Sequence, residues 1–189
     1  MSTAARTYAV LGKESLWDAA RHAHELLAEA GLPHAIVGGV AVCLHGYQRN
    51  TVNVDLLVGR DEAPRVRAVL EAAGWKWNDE RTEIQSPSGV VLQFLMAGDK
   101  AGIDAVVRFP DPADAEAVTE LEGLPVLTLA RLIESKLACG QGNLRRTHKD
   151  FADVVELIAV HRLSRSFARH LHSTLRDAFC ELVLHARGE

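Results

Sequence analysis

Asn53 and Asp55 stand two residues apart in the run Asn53-Val54-Asp55-Leu56-Leu57-Val58. The run reads as a strand over 52–58, and in a strand residues i and i+2 point to one face. An amide and a carboxylate therefore project together. Ahead of them, the apolar burst Ala35-Ile36-Val37 runs into Gly38-Gly39 and a short helix over 40–45 closed by Gly46. Glycines at such a turn let a ligand approach the backbone, and the N–H groups that open a helix favour an anion such as phosphate. The same glycines also serve a plain strand-to-helix turn. Asp55 suits contact with a metal or nucleotide, or a solvated strand-end acid; Asn53 suits a polar contact, or no role.

These residues need elements to hold them. Leu16, Ala20, Ala23, Leu27 and Ala30 recur at helical spacing after Ser15, which predicts a helix over 15–30 with Ser15 as its cap. An amphipathic helix is expected over 61–73, closed by Gly74. Strands at 82–85 and 90–96 flank Ser86-Pro87-Ser88-Gly89, a hairpin signal. A strand over 106–109 precedes Pro110-Asp111-Pro112, and 118–121 with 125–127 flank Glu122-Gly123 as a second hairpin. Thr128 is placed to cap a helix over 129–137. A glycine-bearing basic loop over 140–146, a helix over 150–160 and a last helix from Ser164 follow. This gives an α/β core over 1–127 and a helical portion over 128–189, expected to pack as one unit because no linker separates them.

The series Val37-Gly38-Gly39-Val40-Ala41, His45-Gly46-Tyr47, Arg49-Asn50-Thr51 and Asn53-Val54-Asp55-Leu56-Leu57-Val58 resembles the nucleotidyltransferase fold. Within it, the series is similar to small bacterial proteins related to nucleotidyltransferases of the abortive-infection toxin type. The likeness extends through Lys136-Leu137-Ala138 and Lys149-Asp150-Phe151-Ala152-Asp153-Val154. It implies an α/β (α+β) fold, a small mixed sheet flanked by helices with a C-terminal helical portion. It also implies three carboxylates that hold two Mg2+ ions, which bridge an NTP and activate an acceptor hydroxyl for attack on its α-phosphorus. Gly38, Gly39, Arg49, Thr51 and Lys136 would be nucleotide contacts, and a toxin or antitoxin setting would follow by analogy.

The chain departs from that pattern where the metal chemistry lies. Asn53 takes the place of the first carboxylate, and Gln93 in Val91-Leu92-Gln93-Phe94-Leu95 takes the place of the third. An amide oxygen can coordinate Mg2+ but brings no charge. Only Asp55 remains acidic, so Asn53, Asp55 and Gln93 form a degenerate site expected to hold Mg2+ and NTP weakly, with nucleotide binding or regulation as the role. The alternative is an active enzyme that moves NMP from NTP to a protein, RNA or small-molecule hydroxyl. It would recruit Asp104, in Gly102-Ile103-Asp104-Ala105-Val106, as a metal ligand beside Asp55. Arg49 also reads as a surface charge, Lys136 as a snorkelling lysine and Asp150 as an acid at a helix N-terminus favoured by the macrodipole.

Composition narrows the classes. The chain has 189 residues, is 48% hydrophobic and 24% charged, and carries a formal net charge of -4. Proteins that hold long polyanions are usually basic, so no long nucleic acid is expected as partner, while a nucleotide or a protein remains open. The basic cluster Arg145-Arg146-His148-Lys149 reads as a solvated loop. Cys43, Cys139 and Cys180 lack any CxxC spacing and suit reduced thiols of a cytoplasm. His22/His24 and His170/His172 are two apart, which is poor chelating geometry on a helix, so no zinc site is expected. Neither a signal peptide nor a membrane-spanning run is expected.

Overall fold

The computed structural model describes residues 14–186, with the side chains at 14, 15 and 144 left aside. The cap expected of Ser15 thus lies outside the described side chains. A seven-stranded sheet runs in the order β3-β4-β5-β2-β1-β7-β6. Its strands are β1 (His34–Val37), β2 (Asn53–Val58), β3 (Lys76–Asn78), β4 (Glu83–Gln85), β5 (Val91–Met96), β6 (Val118–Leu121) and β7 (Leu124–Leu127). Among the described residues the helices are α1 (Glu14–Glu29), α2 (Gly38–Leu44), α3 (Ala63–Ala72), α4 (Leu129–Gly142), α5 (Leu144–Val160) and α6 (Arg176–Ala186). Two 3-10 turns, Arg165–His170 and Ser173–Leu175, precede α6.

The central strands are apolar because both of their faces are covered. All four residues of β1 are buried, and β2 exposes only Asn53 and Asp55 in part. β1 runs antiparallel to β2 and parallel to β7, while β2 runs parallel to β5. The remaining pairs are antiparallel hairpins. α1 buries Leu16, Trp17, Ala20, Ala23 and Leu27 and packs on β1, β2 and β7. α2 packs on the same strands and against α4, and α5 lies along α4. One hydrophobic cluster includes Ile36, Leu56, Leu132, Leu157 and Phe179, so residues on both sides of 127/128 share it.

Four expectations are corrected. β3 was not expected; its Trp77 packs against Phe94 with ring centroids 5.3 Å apart, and its alternation is too short to stand out. Residues 106–109 form no strand, only a bridge between Lys100 and Arg108. The supposed basic loop at 140–146 is the end of α4 and the start of α5, which meet at Asn143. There the Asn143 side chain accepts a hydrogen bond from the Arg145 N–H and caps α5. Asp150 therefore sits well inside α5 and not at its start, which removes the macrodipole account.

The segment between β5 and β6 lies on the end of α4 at close range. A Cβ on Gly102 would come within 2.3 Å of the Ala138 carbonyl oxygen, and one on Gly142 within 2.3 Å of the Ile103 oxygen. Two glycines make that backbone-to-backbone contact possible.

Candidate functional site

The site forms where β1 ends, α2 begins and β2 lies beside β5. Gly38 adopts φ +62°, a conformation that favours glycine. A Cβ there would fall 1.9 Å from Asp55 Oδ2, so the Asp55 carboxylate fills the hollow of the Gly38 turn. Gly39 is packed as tightly: a Cβ would lie 2.7 Å from Thr51 Oγ1 and 2.9 Å from an Arg49 guanidinium nitrogen.

Parallel register places Asp55 opposite Gln93. Asn53 Nδ2 donates to Asp55 Oδ1 and to Gln93 Oε1, each at 2.8 Å. Asp55 offers only acceptors, so the Asn53 group that faces it is the NH2 and not the carbonyl. Burial pushes the Asp55 carboxyl up, against the opposing pull of Lys136, Arg146, the Asn53 amide and the Gly39 N–H. The structure thus brings Asn53, Asp55 and Gln93 together through a bridging amide.

Opposite them lies a chain of ion pairs. Lys136 is buried and reaches Asp150 Oδ1 at 2.8 Å and Asp153 Oδ2 at 2.7 Å. Arg146 Nε reaches Asp150 Oδ2 at 3.1 Å, and Arg49 Nε reaches Asp153 Oδ1 at 2.7 Å. Burial works to raise the Asp150 pKa, but Lys136 and then Arg146 hold it below its ordinary value. Burial raises the Cys139 thiol, and Asp150 adds to that. The Lys149 ammonium is lowered by burial and by the nearby charges of Arg49, Lys136 and Arg146. Lys136 is therefore no snorkelling lysine, and Arg49 is held by Asp153 and not free on the surface.

A cleft of about 230 Å³ joins the two groups. Gly38, Asp55, Gln93, Lys100, Lys136, Cys139, Arg146 and Asp150 are among its lining residues. Asp104 is not: it lies on an exposed turn at φ +58° and lines a separate cavity with Gln141, Gly142 and Thr174. The reading that brings Asp104 beside Asp55 as a metal ligand is corrected on that ground, because the residue belongs to a loop and not to a strand.

Glu83 was missed by the sequence reading. Antiparallel register puts it directly across from Gln93, on the same face of the sheet. The signal was present in the hairpin pattern, but only pairing β4 with β5 reveals which residues adjoin. Its carboxylate lies 3.9 Å from Arg81.

Mg2+ needs near-octahedral oxygen ligands, anionic ones above all. Here one carboxylate is engaged by an amide NH2 and faces two cations. The two carboxylates across the cleft are engaged by Lys136, Arg146 and Arg49. Among the described residues, no cluster of three or more His, Cys, Asp or Glu side chains is arranged to hold a metal ion. This donor set does not fit two divalent ions.

No protein-family model matches the chain, and no curated protein matches it. Solved structures do. The crystal structure of ANT(2'')-Ia in complex with adenylyl-2''-tobramycin matches with a TM-score of 0.53 at 17% identity, over 83% of this chain and 92% of that one. The solution structure of ANT(2'')-Ia, an antibiotic-resistance factor, matches with a TM-score of 0.52 at 15% identity, over 90% and 97%. A protein from H. pylori assigned as a nucleotidyltransferase matches with a TM-score of 0.52 at 19% identity, over 98% and 84%. At these identities the likeness speaks to the fold alone: the chain is a mixed α/β protein with a nucleotidyltransferase-like fold.

Proposed function

We propose that this chain is a nucleotide-binding or regulatory protein on the nucleotidyltransferase fold, with weak or no transfer activity. The reading is supported by a cleft lined by Gly38, Asp55 and Lys136, the residues that the family resemblance assigns to nucleotide and metal, and by a structural neighbour that holds an adenylylated ligand. The observation that carries the reading is the Asn53 amide, hydrogen-bonded at once to Asp55 and Gln93. Transfer from an NTP by this fold's chemistry relies on ions that neutralise the triphosphate and the developing charge on the acceptor oxygen. A bridging amide meets neither need. Asp55 and the Gly38-Gly39 turn shape the floor of the cleft, Lys136 and Arg146 face it with positive charge, and Arg49 and Thr51 brace the turn.

Two measurements test this. ATP should raise the Tm by ligand linkage, while radiolabelled NTP leaves no label on the protein, on tRNA or on small hydroxyl acceptors. Turnover on the order of 1 s⁻¹ or faster would mark a working enzyme and overturn the reading. The double variant Asn53→Asp/Gln93→Asp should place three carboxylates side by side. It should unfold more readily than wild type in EDTA and recover on addition of Mg2+. Equal Mg2+ affinity in wild type and variant would contradict the degenerate site.

A further inference from the structure

We infer that the cleft takes its anionic ligand free of metal, so that a nucleoside polyphosphate binds in its uncomplexed form and Mg2+ weakens the binding. The inference rests on the proposed nucleotide site and names the ionic form of its ligand.

Charge and the donors that face the cleft favour a bare anion. Three cations, Lys100, Lys136 and Arg146, line the cleft against two carboxylates, Asp55 and Asp150; Lys136 is bound to Asp150 and Asp153, so the donors that face a ligand are those of Lys100 and Arg146. Arg146 spends its Nε on Asp150 and its side chain is 52% exposed, so the far end of a planar fork that suits phosphate faces outward. Lys100 also lines the cleft and is exposed. The acidic groups facing this side are already engaged. Asp150 and Asp153 are held by Lys136, Arg146 and Arg49. Asp55 accepts from Asn53, and Glu83 lies beside Gln93 near Arg81.

A metal-bound triphosphate carries two fewer negative charges than the free one. Where carboxylates outnumber cations, that loss is an advantage; where cations outnumber carboxylates, as among the residues lining this cleft, the free anion gains more Coulomb energy. Magnesium in solution then competes for the ligand without helping it bind.

Isothermal titration of the full chain with ATP in EDTA, and again in excess Mg2+, tests this directly. Binding in EDTA should be tighter by about tenfold or more, in keeping with one net charge interaction at a partly buried site. Sodium tripolyphosphate should behave in the same way, since phosphate supplies the contact. Lys100→Gln/Arg146→Gln, both at exposed positions, should reduce the affinity in EDTA by about tenfold and flatten its salt dependence. ATP that binds only with Mg2+ would overturn this inference while leaving the nucleotide site standing. ATP and tripolyphosphate that bind in neither buffer would overturn both. Circular dichroism of the variant establishes that it is folded. Unchanged ATP affinity in the folded variant would also overturn the inference.

Discussion

Asp55 shows at the scale of a single residue how the site sits in tension with stability. Its carboxyl is raised by burial despite favourable neighbours. A carboxyl with a raised folded pKa favours folding below its unfolded value near 3.8, and that contribution is lost as pH rises through the folded pKa. At neutral pH the ionised Asp55 is therefore a cost. Asp55→Asn keeps an oxygen for the Asn53 amide and the Gly39 N–H and removes the charge. The variant should melt higher than wild type at pH 7, by about 2–4 °C for each kcal/mol relieved in a chain of this size. The difference should close towards pH 4. A variant that melts lower at pH 7 would mean that attraction to Lys136 and Arg146 outweighs desolvation.

At the scale of elements, the strand-turn-helix formed by β1 and α2 fixes the geometry. Gly38 is required twice, by its positive φ and by the Asp55 oxygen that occupies the place of a Cβ. Gly38→Ala should lose about 1–2 kcal/mol to the left-handed backbone alone, and more to the overlap. Combining it with Asp55→Ala should return the overlap part and leave the backbone part, which urea denaturation of the four proteins of the cycle resolves. This unit was legible in the sequence because its signals are local: an apolar burst, two glycines and a period-2 strand. The pairing of Asn53, Asp55 and Gln93 was legible through family likeness, which supplied the third strand that spacing alone does not. What was not legible lies in long-range placement. Asp104 sits in an apolar pattern that reads as strand, yet Gly102 and Gly142 let its loop dock on α4. Asp150 reads as a helix start only because Gly140, Gly142 and Asn143 suggest a longer break than the single junction the chain uses. Glu83 becomes a neighbour of Gln93 only once the hairpin register is known.

At the scale of the whole molecule, side chains from distant segments tie the sheet to the C-terminal helices. Arg49 meets Asp153 across 104 positions. His45 Nε2 donates to the Leu127 carbonyl at 2.8 Å, and His161 Nε2 donates to the His45 carbonyl at 2.7 Å. On the far side, His34 donates from Nδ1 to the Leu32 carbonyl, so its Nε2 accepts from His24 Nδ1 at 2.9 Å. Burial lowers the pKa of both His34 and His45. Lowered folded values mean that the unfolded chain takes up protons first as pH drops below about 6.5, so stability falls from there downward. The Tm should decline between pH 7 and 5, and His45→Gln, which keeps a donor for Leu127, should make the decline shallower. Lys136 belongs to the same scale. Lys136→Met would leave Asp150 and Asp153 buried with less compensation, a loss of about 3–5 kcal/mol measurable by urea denaturation.

The glycine contact between the 98–108 segment and α4 bears on how a solute gets in and out. Lys100, Ala101 and Cys139 belong to the cleft wall, and the contact at Gly102 and Gly142 sets how near that wall stands. One methyl group at position 142 would act as a wedge without changing any charged group. Gly142→Ala should speed maleimide labelling of Cys139, whereas an unaltered rate would show that entry runs past the other rim.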